Sequence, residues 1–597
     1  MRWIRRIVVG FFAIVGASVV VMIALVVALG SRALAPSTRP VPAIAVLELD
    51  LAQPLAESRP SSPFGELFAG ERLTLRQIEE GLERAGRDER VKGLAVRLGG
   101  GGLSFPTSQE LRDAISAFRK RGKFALAFAA SYGDTGSGSS SYYLATAAEE
   151  IWLQPSGEVG LTGVVAETPF VRGALDKLGV VARFDKREEY KNAVDQITDT
   201  AYSAAFRESM ESMLGSLYGQ LVKGVADGRG MSIEAVKGII DRGPFLAKEA
   251  LEAKLVDRLG YRDEAAEAAK KRAGEGAQLM LLRDYFRSTR SDGGAGRVIA
   301  LVAGSGPIIS GDSELDGPFG AAAIGADTIA KALDEAAKSR DVAAILFRID
   351  SPGGDYVASD TIWQAVSRAK AAGKPVIVSM GDVAASGGYF IAAPATKIVA
   401  EPATLTGSIG VFGGKFVVKE LFGRLGITVD SVQFGTNAAM WSSDRDFTET
   451  GWRRLEASLD AVYRDFTAKV VQGRGLEADR IPKIAKGRVF TGEEAREAGL
   501  VDALGGWPTA LALARQAAGV GPEEPVELRS YPRPGRELRR LLDRLLSDDT
   551  TAESRLIERL GATLAGRVPA LRPLLAELPA LAAPGDAYLL MPPLEVR

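Results

Sequence analysis

The sequence predicts an α/β fold, built twice along one chain of 597 residues. Two observations predict it. Short apolar, β-branched runs such as Val298-Ile-Ala-Leu-Val302, Ala344-Ile-Leu-Phe347 and Val376-Ile-Val-Ser379 alternate with helical stretches at 326–339 and 359–372. Such runs read as strands buried on both faces, so the alternation predicts stacked β-β-α or β-α units. The second observation is long-range self-similarity. Arg90-Val-Lys-Gly-Leu-Ala-Val-Arg97-Leu aligns with Asp341-Val-Ala-Ala-Ile-Leu-Phe-Arg348-Ile, 251 positions later. The stretch from Tyr142 to Pro155 aligns with that from Tyr389 to Pro402 at an offset of 247. Tyr218, Gly228-Arg-Gly230 and Leu255-Val-Asp257 match Tyr463, Gly473-Arg-Gly475 and Leu500-Val-Asp502 at an offset of 245. Chance does not preserve order and spacing in this way.

In chain order, the first element is a membrane span. Residues 7–29, from Ile7 to Leu29, are 23 consecutive uncharged and mostly aliphatic positions. At about 1.5 Å per residue they cross a hydrocarbon core about 30 Å thick. Arg2, Arg5 and Arg6 precede the run and only Arg32 follows closely, which leaves the N-terminus cytoplasmic and the rest of the chain outside. Ala33-Leu-Ala35 has the small residues of a signal-peptidase site, but the run exceeds the about 7 to 15 apolar residues of a secretory signal. The expectation for 1–42 is therefore an uncleaved signal anchor. The first repeat is expected at 43–275, a linker at 276–296, the second repeat at 297–518 and a C-terminal appendage at 519–597. In that appendage Leu538, Leu541, Leu542, Leu545 and Leu546 share one helical face, read as a packing surface for the protein itself.

Composition removes several chemistries. There is no histidine and no cysteine, so a Ser-His-Asp triad, a Cys-His protease and thiol redox chemistry are excluded. With no histidine/cysteine cluster and no phosphate-loop pattern, neither a metal nor another cofactor is indicated. The 74 Lys+Arg nearly cancel the 75 Asp+Glu, so no polyanion-attracting field is implied and nucleic acid is not an expected partner.

Function is expected where the two copies differ. After the strand holding Arg348 the second copy has Asp350-Ser-Pro-Gly353-Gly354, where the first has Gly99-Gly-Gly-Gly102. Ser386-Gly387-Gly388 lies opposite Ser139-Ser-Ser141, and Ser408 opposite Leu161. Paired glycines after a strand free backbone N–H groups to converge, as a tetrahedral oxyanion requires. The amide of Gly387 and one from Gly353 or Gly354 are assigned that role, beside Ser386 as candidate nucleophile. Without histidine, the base for such a serine is a carboxylate, a tyrosine or a neutral lysine. The first copy carries Glu189-Tyr-Lys191-Asn-Ala193, opposite a stretch of the second that has no lysine. A lone lysine is ordinarily a solvated charge, and composition does not promote Lys191.

A resemblance does. Asp350-Ser-Pro-Gly-Gly354, Gly381 to Tyr389 with Ala384-Ala-Ser-Gly-Gly388, Thr404-Leu-Thr-Gly-Ser-Ile-Gly-Val411 and Tyr190-Lys-Asn-Ala193 stand in the order and approximate spacing of the signal peptide peptidase A family. The chain resembles its long, duplicated form, a membrane-anchored serine protease of the Clp protease/crotonase superfamily, over about 43–520. The resemblance implies two tandem crotonase-like domains, Ser386 as nucleophile, Lys191 as general base across the repeats, and Ser408 close to both. It also implies flexible hydrophobic peptides and signal-peptide remnants as substrates, a homotetramer, and catalytic domains on the outer side of a bacterial inner membrane. The family's lysine segment usually continues Glu-Pro-Phe, whereas Asp195-Gln-Ile follows Val194 here. Two other readings stand beside the endopeptidase: a catalytically silent membrane-bound peptide-binding scaffold, and a crotonase-type acyl-CoA enzyme.

Overall fold

The computed structural model describes residues 40–52, 55, 73–99, 102–133, 136–289, 296–313, 322–521, 524–532 and 588–591. The expected membrane span at 7–29 and the leucine face at 538–546 lie outside the described residues. Among the described residues, no helix is long and apolar enough to cross a membrane.

Two sheets, the first wholly and the second mainly parallel, form the two halves. In the first, strands β1 (Ala45–Asp50), β2 (Val91–Leu98), β3 (Phe124–Ala129), β4 (Glu150–Leu153), β5 (Arg258–Leu259) and β6 (Gln278–Leu281) lie in the order β5-β4-β3-β2-β1-β6, every pairing parallel. Helices α1 (Leu75–Arg87), α2 (Phe105–Lys120), α3 (Ser139–Ala145) and α4 (Ala204–Arg229) supply the covering layers. Helix α1 opens on a capping box between Thr74 and Gln77.

The second half repeats the path. Strands β7 (Arg297–Ser305), β8 (Val342–Ser351), β9 (Val376–Ala385), β10 (Lys397–Ala400), β11 (Leu405–Gly407), β12 (Val489–Thr491), β13 (Ala503–Leu504) and β14 (Val526–Tyr531) form a sheet in which β14-β7-β8-β9-β10-β13 mirrors β6-β1-β2-β3-β4-β5. From β9 a second branch runs to β11, which pairs antiparallel with β12. Its helices include α5 (Ala326–Lys338), α6 (Tyr356–Ala371), α7 (Gly387–Ala392) and α8 (Glu449–Arg474). Helices α4 and α8 are both 26 residues long, start on Ser203 and Thr448 caps, and end on left-handed Gly230 and Gly475. The hydroxyl caps and the glycine stops are the local chemistry that sets these lengths. Strand β8 is almost wholly buried, as expected for a parallel strand covered on both faces.

Two boundaries differ from the sequence expectation. Part of the expected linker, Gln278–Leu281, is the edge strand beside β1, and Leu282 and Tyr285 after it enter the first core. Part of the expected appendage, Val526–Tyr531, is the matching edge strand beside β7. Both strands pair with a partner more than two hundred residues away, which no local pattern reveals.

A third sheet joins the halves. Its order is Ile324–Gly325, Ile308–Ile309, Gly353–Asp355, Tyr588–Leu590, Phe412–Val417 and Val181–Lys186. Val181–Lys186 comes from the first half and pairs antiparallel with Phe412–Val417 of the second, with Phe412 opposite Lys186 and Val417 opposite Val181. This pairing carries the segment after Lys186 into the second half.

Candidate active site

Ser386 sits at the corner between β9 and α7 with φ 54° and ψ −112°. Positive φ is uncommon for a residue with a Cβ, and such a conformation costs on the order of 1 to 3 kcal/mol. The corner is held from both sides: Ser386 N–H donates to Gly407 O at 2.8 Å, and Phe390 N–H donates to Ser386 O at 2.8 Å. Thr406 Oγ1 donates to Ala384 O at 2.6 Å, fastening β11 to the strand that delivers the serine.

The glycines around it are required by close approach. A Cβ on Gly387 would lie 3.0 Å from Gly354 N and 3.1 Å from Gly353 Cα, so a side chain there would fill the space between the two turns. As the first residue of α7, Gly387 has an amide that no carbonyl of that helix accepts. Gly353 N–H donates to Ser351 Oγ at 3.2 Å. Gly354 lies opposite Leu589 in the third sheet, and Met591 N–H donates to Pro352 O at 2.8 Å. Hydrogen-bonded pairs alternate along an antiparallel ladder, so Gly354 and Leu589 form the next such pair. Gly354 therefore turns its amide toward the strand position held by Tyr588–Leu590.

Lys191 reaches this corner from the first half. Its loop follows Val181–Lys186 and runs on into a short turn of 3-10 helix, Asn192–Val194. Nζ donates to Ser386 Oγ at 2.7 Å, to Ser408 O at 3.0 Å and to Ser408 Oγ at 3.0 Å. Lys191, Ser386 and Ser408 are all fully buried. Burial alone holds the Lys191 ammonium well below the ordinary lysine pKa, with no carboxylate offsetting it. All six residues singled out from the sequence, Ser386, Lys191, Gly387, Gly353, Gly354 and Ser408, thus converge on one corner.

Several contributors were not legible in the sequence. Asp195, the first residue of the departure from Glu-Pro-Phe, is buried and accepts from Lys186 Nζ at 2.5 Å and Asn192 Nδ2 at 2.6 Å, bracing the lysine loop. Lys486 pairs with Glu189 at 2.8 Å, tying that loop to the second half, and Arg488 pairs with Glu208 of α4 at 2.7 Å beside it. Deeper between the halves, the Arg348 guanidinium meets the Glu110 carboxylate at 2.9 Å. Arg348 was visible as a repeated strand residue; its partner was not, because the contact crosses the repeats. Among the described residues, no group of three or more acidic side chains is placed to hold a metal ion.

The arrangement supplies a hydroxyl at a strained corner, a desolvated amine within hydrogen-bond reach, and backbone amides turned toward an extended chain. The sequence model of peptidase family S49 matches residues 118–275 and 368–521. The chain is 32% identical over 476 residues to the chloroplastic serine protease SPPA of Arabidopsis thaliana, covering 78% of this chain and 69% of that one. It is 33% identical over 459 residues to Protease 4 of Salmonella typhi, covering 74% and 72% respectively. A shorter match, 31% identical over 168 residues, covers 28% of this chain and 49% of a putative signal peptide peptidase SppA of Enterococcus faecium.

Proposed function

Because the chain belongs to peptidase family S49, and is a serine-type protease of the long, duplicated form, we propose that it cleaves peptides with Ser386 as nucleophile and Lys191 as general base. The observation that carries this reading is the 2.7 Å contact between Lys191 Nζ and Ser386 Oγ in a fully buried setting. An unperturbed lysine with a pKa of about 10.4 is almost wholly protonated at neutral pH and cannot accept a proton. Desolvation lowers the Lys191 pKa and so shifts the side chain toward the neutral amine the reaction needs.

Neutral Lys191 takes the proton as Ser386 Oγ bonds to the peptide carbonyl carbon. The amides of Gly387 and of Gly354 or Gly353 stabilise the oxyanion, where losing one donor costs about 3 to 4 kcal/mol. The protonated lysine then gives its proton to the departing amine. Water, deprotonated by Lys191, bonds to the acyl carbon; the ester C–O bond to Ser386 breaks, and Lys191 returns the proton to Ser386 Oγ as the acid product leaves. Ser408 orients Nζ through its hydroxyl and carbonyl.

The substrate reading is a flexible, apolar peptide, including remnants of signal peptides. It is supported by the chain's own Tyr588–Leu590, which lies as an antiparallel strand against Gly353–Asp355 and pairs with Phe412 on its other side. Strand addition of this kind gives backbone affinity while pockets read the side chains. Met591 beyond it packs with Ala385, Leu405, Val489 and Phe206, so the neighbouring pocket is apolar. Two crotonase-like repeats, an anchor at 7–29, an extracytoplasmic location in a bacterial inner membrane and a homotetramer complete the proposal; the apolar run and its arginines support the anchor.

The test compares wild type with Ser386→Ala and Lys191→Ala, using a synthetic signal peptide and a fluorophosphonate probe. Cleavage lost in both variants, with labelling lost at Ser386, is expected. Wild-type cleavage by folded Lys191→Ala would remove the lysine from the mechanism.

A further inference from the structure

The lysine loop rests on a feature of the second half that the reaction itself does not name. Gly487, with φ 83°, lies directly beneath Lys191: a Cβ on it would sit 2.4 Å from Lys191 N, 2.6 Å from Cα and 2.7 Å from Cβ. Contacts that close with backbone have no flexible end to give way. Gly410 lines the stem, where an added Cβ would lie 3.1 Å from Lys191 Cδ and 3.1 Å from Gly487 Cα. The two glycines touch and form one seat.

Its surroundings fasten the loop on either side. Tyr190 N–H donates to Lys486 O at 3.0 Å, Gly487 N–H to Ile409 O at 2.8 Å and Ser408 N–H to Arg488 O at 2.7 Å. One short segment therefore grips both the lysine loop and the strand turn that carries Ser408. The pairs Lys486–Glu189 and Arg488–Glu208 flank it.

The other copy shows that the feature is not a demand of the fold. The offset of 245 that aligns Leu255-Val-Asp257 with Leu500-Val-Asp502 places Arg242 opposite Gly487. The local structure agrees, since Phe245–Leu246 leads into helix Ala247–Glu252 as Val489–Thr491 leads into Gly492–Glu497. Position 410 is glycine in both copies, as Gly163 in the first, but position 487 is glycine only where a lysine is received.

We propose that Gly487, together with Gly410, is a positioning element of the second repeat that seats Lys191 at hydrogen-bonding distance from Ser386. The inference rests on the Ser386/Lys191 reading. A methyl group at position 487 lifts the lysine backbone, and misplacing a catalytic group by about 1 Å costs on the order of a hundredfold in rate.

The experiment measures kcat, KM and the pH dependence of kcat for Gly487→Ala and Gly410→Ala on a fluorogenic apolar peptide. Gly487→Ala is expected to lower kcat about a hundredfold with KM nearly unchanged. Its acid limb is expected to move to higher pH, because a displaced lysine is less desolvated. Gly373→Ala is the control: with φ 78° and no atom within 4 Å of an added Cβ, it carries the backbone strain without the collision and should keep wild-type kcat. Gly410→Ala, which presses on the Lys191 stem and on Gly487 Cα, gives the same direction of effect should Gly487→Ala fail to fold. An unchanged kcat and pH profile in folded Gly487→Ala, or in Gly410→Ala when that variant alone folds, overturns the seat. Wild-type activity in Lys191→Ala overturns the dyad instead.

Discussion

Lys191 and Ser386 are 195 positions apart in the chain and 2.7 Å apart in space, one supplied by each half of a duplicated fold. The contact is buried and contains no carboxylate, so the protonation state of the amine is set by desolvation.

Activity should therefore rise with pH through the lowered pKa of Lys191 and then level off. The same shift has a stability consequence. The unfolded lysine binds a proton up to about pH 10.4, whereas the folded one releases it earlier, so stability increases with pH between the two values. Lys191→Met removes that burden while keeping much of the apolar stem. We expect a higher melting temperature near neutral pH, a flatter dependence of melting temperature on pH in the same range, and no detectable cleavage. Thermal scans across pH, paired with the cleavage assay, check this; a destabilised Lys191→Met would contradict it.

Glu401 titrates the other way. Burial, followed by the nearby Glu110 and Asp113 carboxylates, pushes its pKa well above the usual carboxylate value. One of its carboxyl oxygens has no hydrogen-bond partner among the described residues. Folding stability linked to Glu401 is complete below the unfolded pKa of about 4.3 and declines as pH rises toward the folded one, by at most about 1.4 kcal/mol per pH unit. Glu401→Gln should flatten that decline, and equal pH slopes for variant and wild type would refute the assignment.

The Glu110 carboxylate accepts from both Nη atoms of Arg348, at 3.3 Å and 2.9 Å, and from Trp507 N–H at 2.5 Å. It is a buried link between halves. Glu110→Ala removes the carboxylate paired with the buried Arg348 guanidinium, a change that costs about 3 to 5 kcal/mol in buried ion pairs. Replacing both partners with apolar residues of similar size should cost much less. Denaturant unfolding of the single and double variants distinguishes a true ion pair from mere packing.

Tyr588–Leu590 occupies the strand position against Gly353–Asp355. A tethered segment acts at an effective concentration on the order of millimolar. Removing residues 588–597 should lower KM for an apolar peptide and leave kcat near its original value. An unchanged KM would show that peptides enter elsewhere.

Much of this was legible in the sequence. The repeat, its α/β alternation and the two elaborated turns of the second copy are local patterns, and local patterns encode strands, caps and tight corners directly. Ser386 stood out because its glycine neighbours are unlike Ser139-Ser-Ser141 at the same place. Lys191 stood out only through resemblance, since nothing local distinguishes it from a solvated lysine. Tertiary structure alone decided what lies between the halves: the pairing of Val181–Lys186 with Phe412–Val417, the edge strands at 278–281 and 526–531, the Gly487 seat and the Glu110–Arg348 link. Each joins segments far apart in the chain, and its stability comes from burial and strand pairing that exist only once both halves are folded. The proton affinity of Lys191 belongs to the same class, because the sequence fixes the amine but only the enclosing fold removes its water.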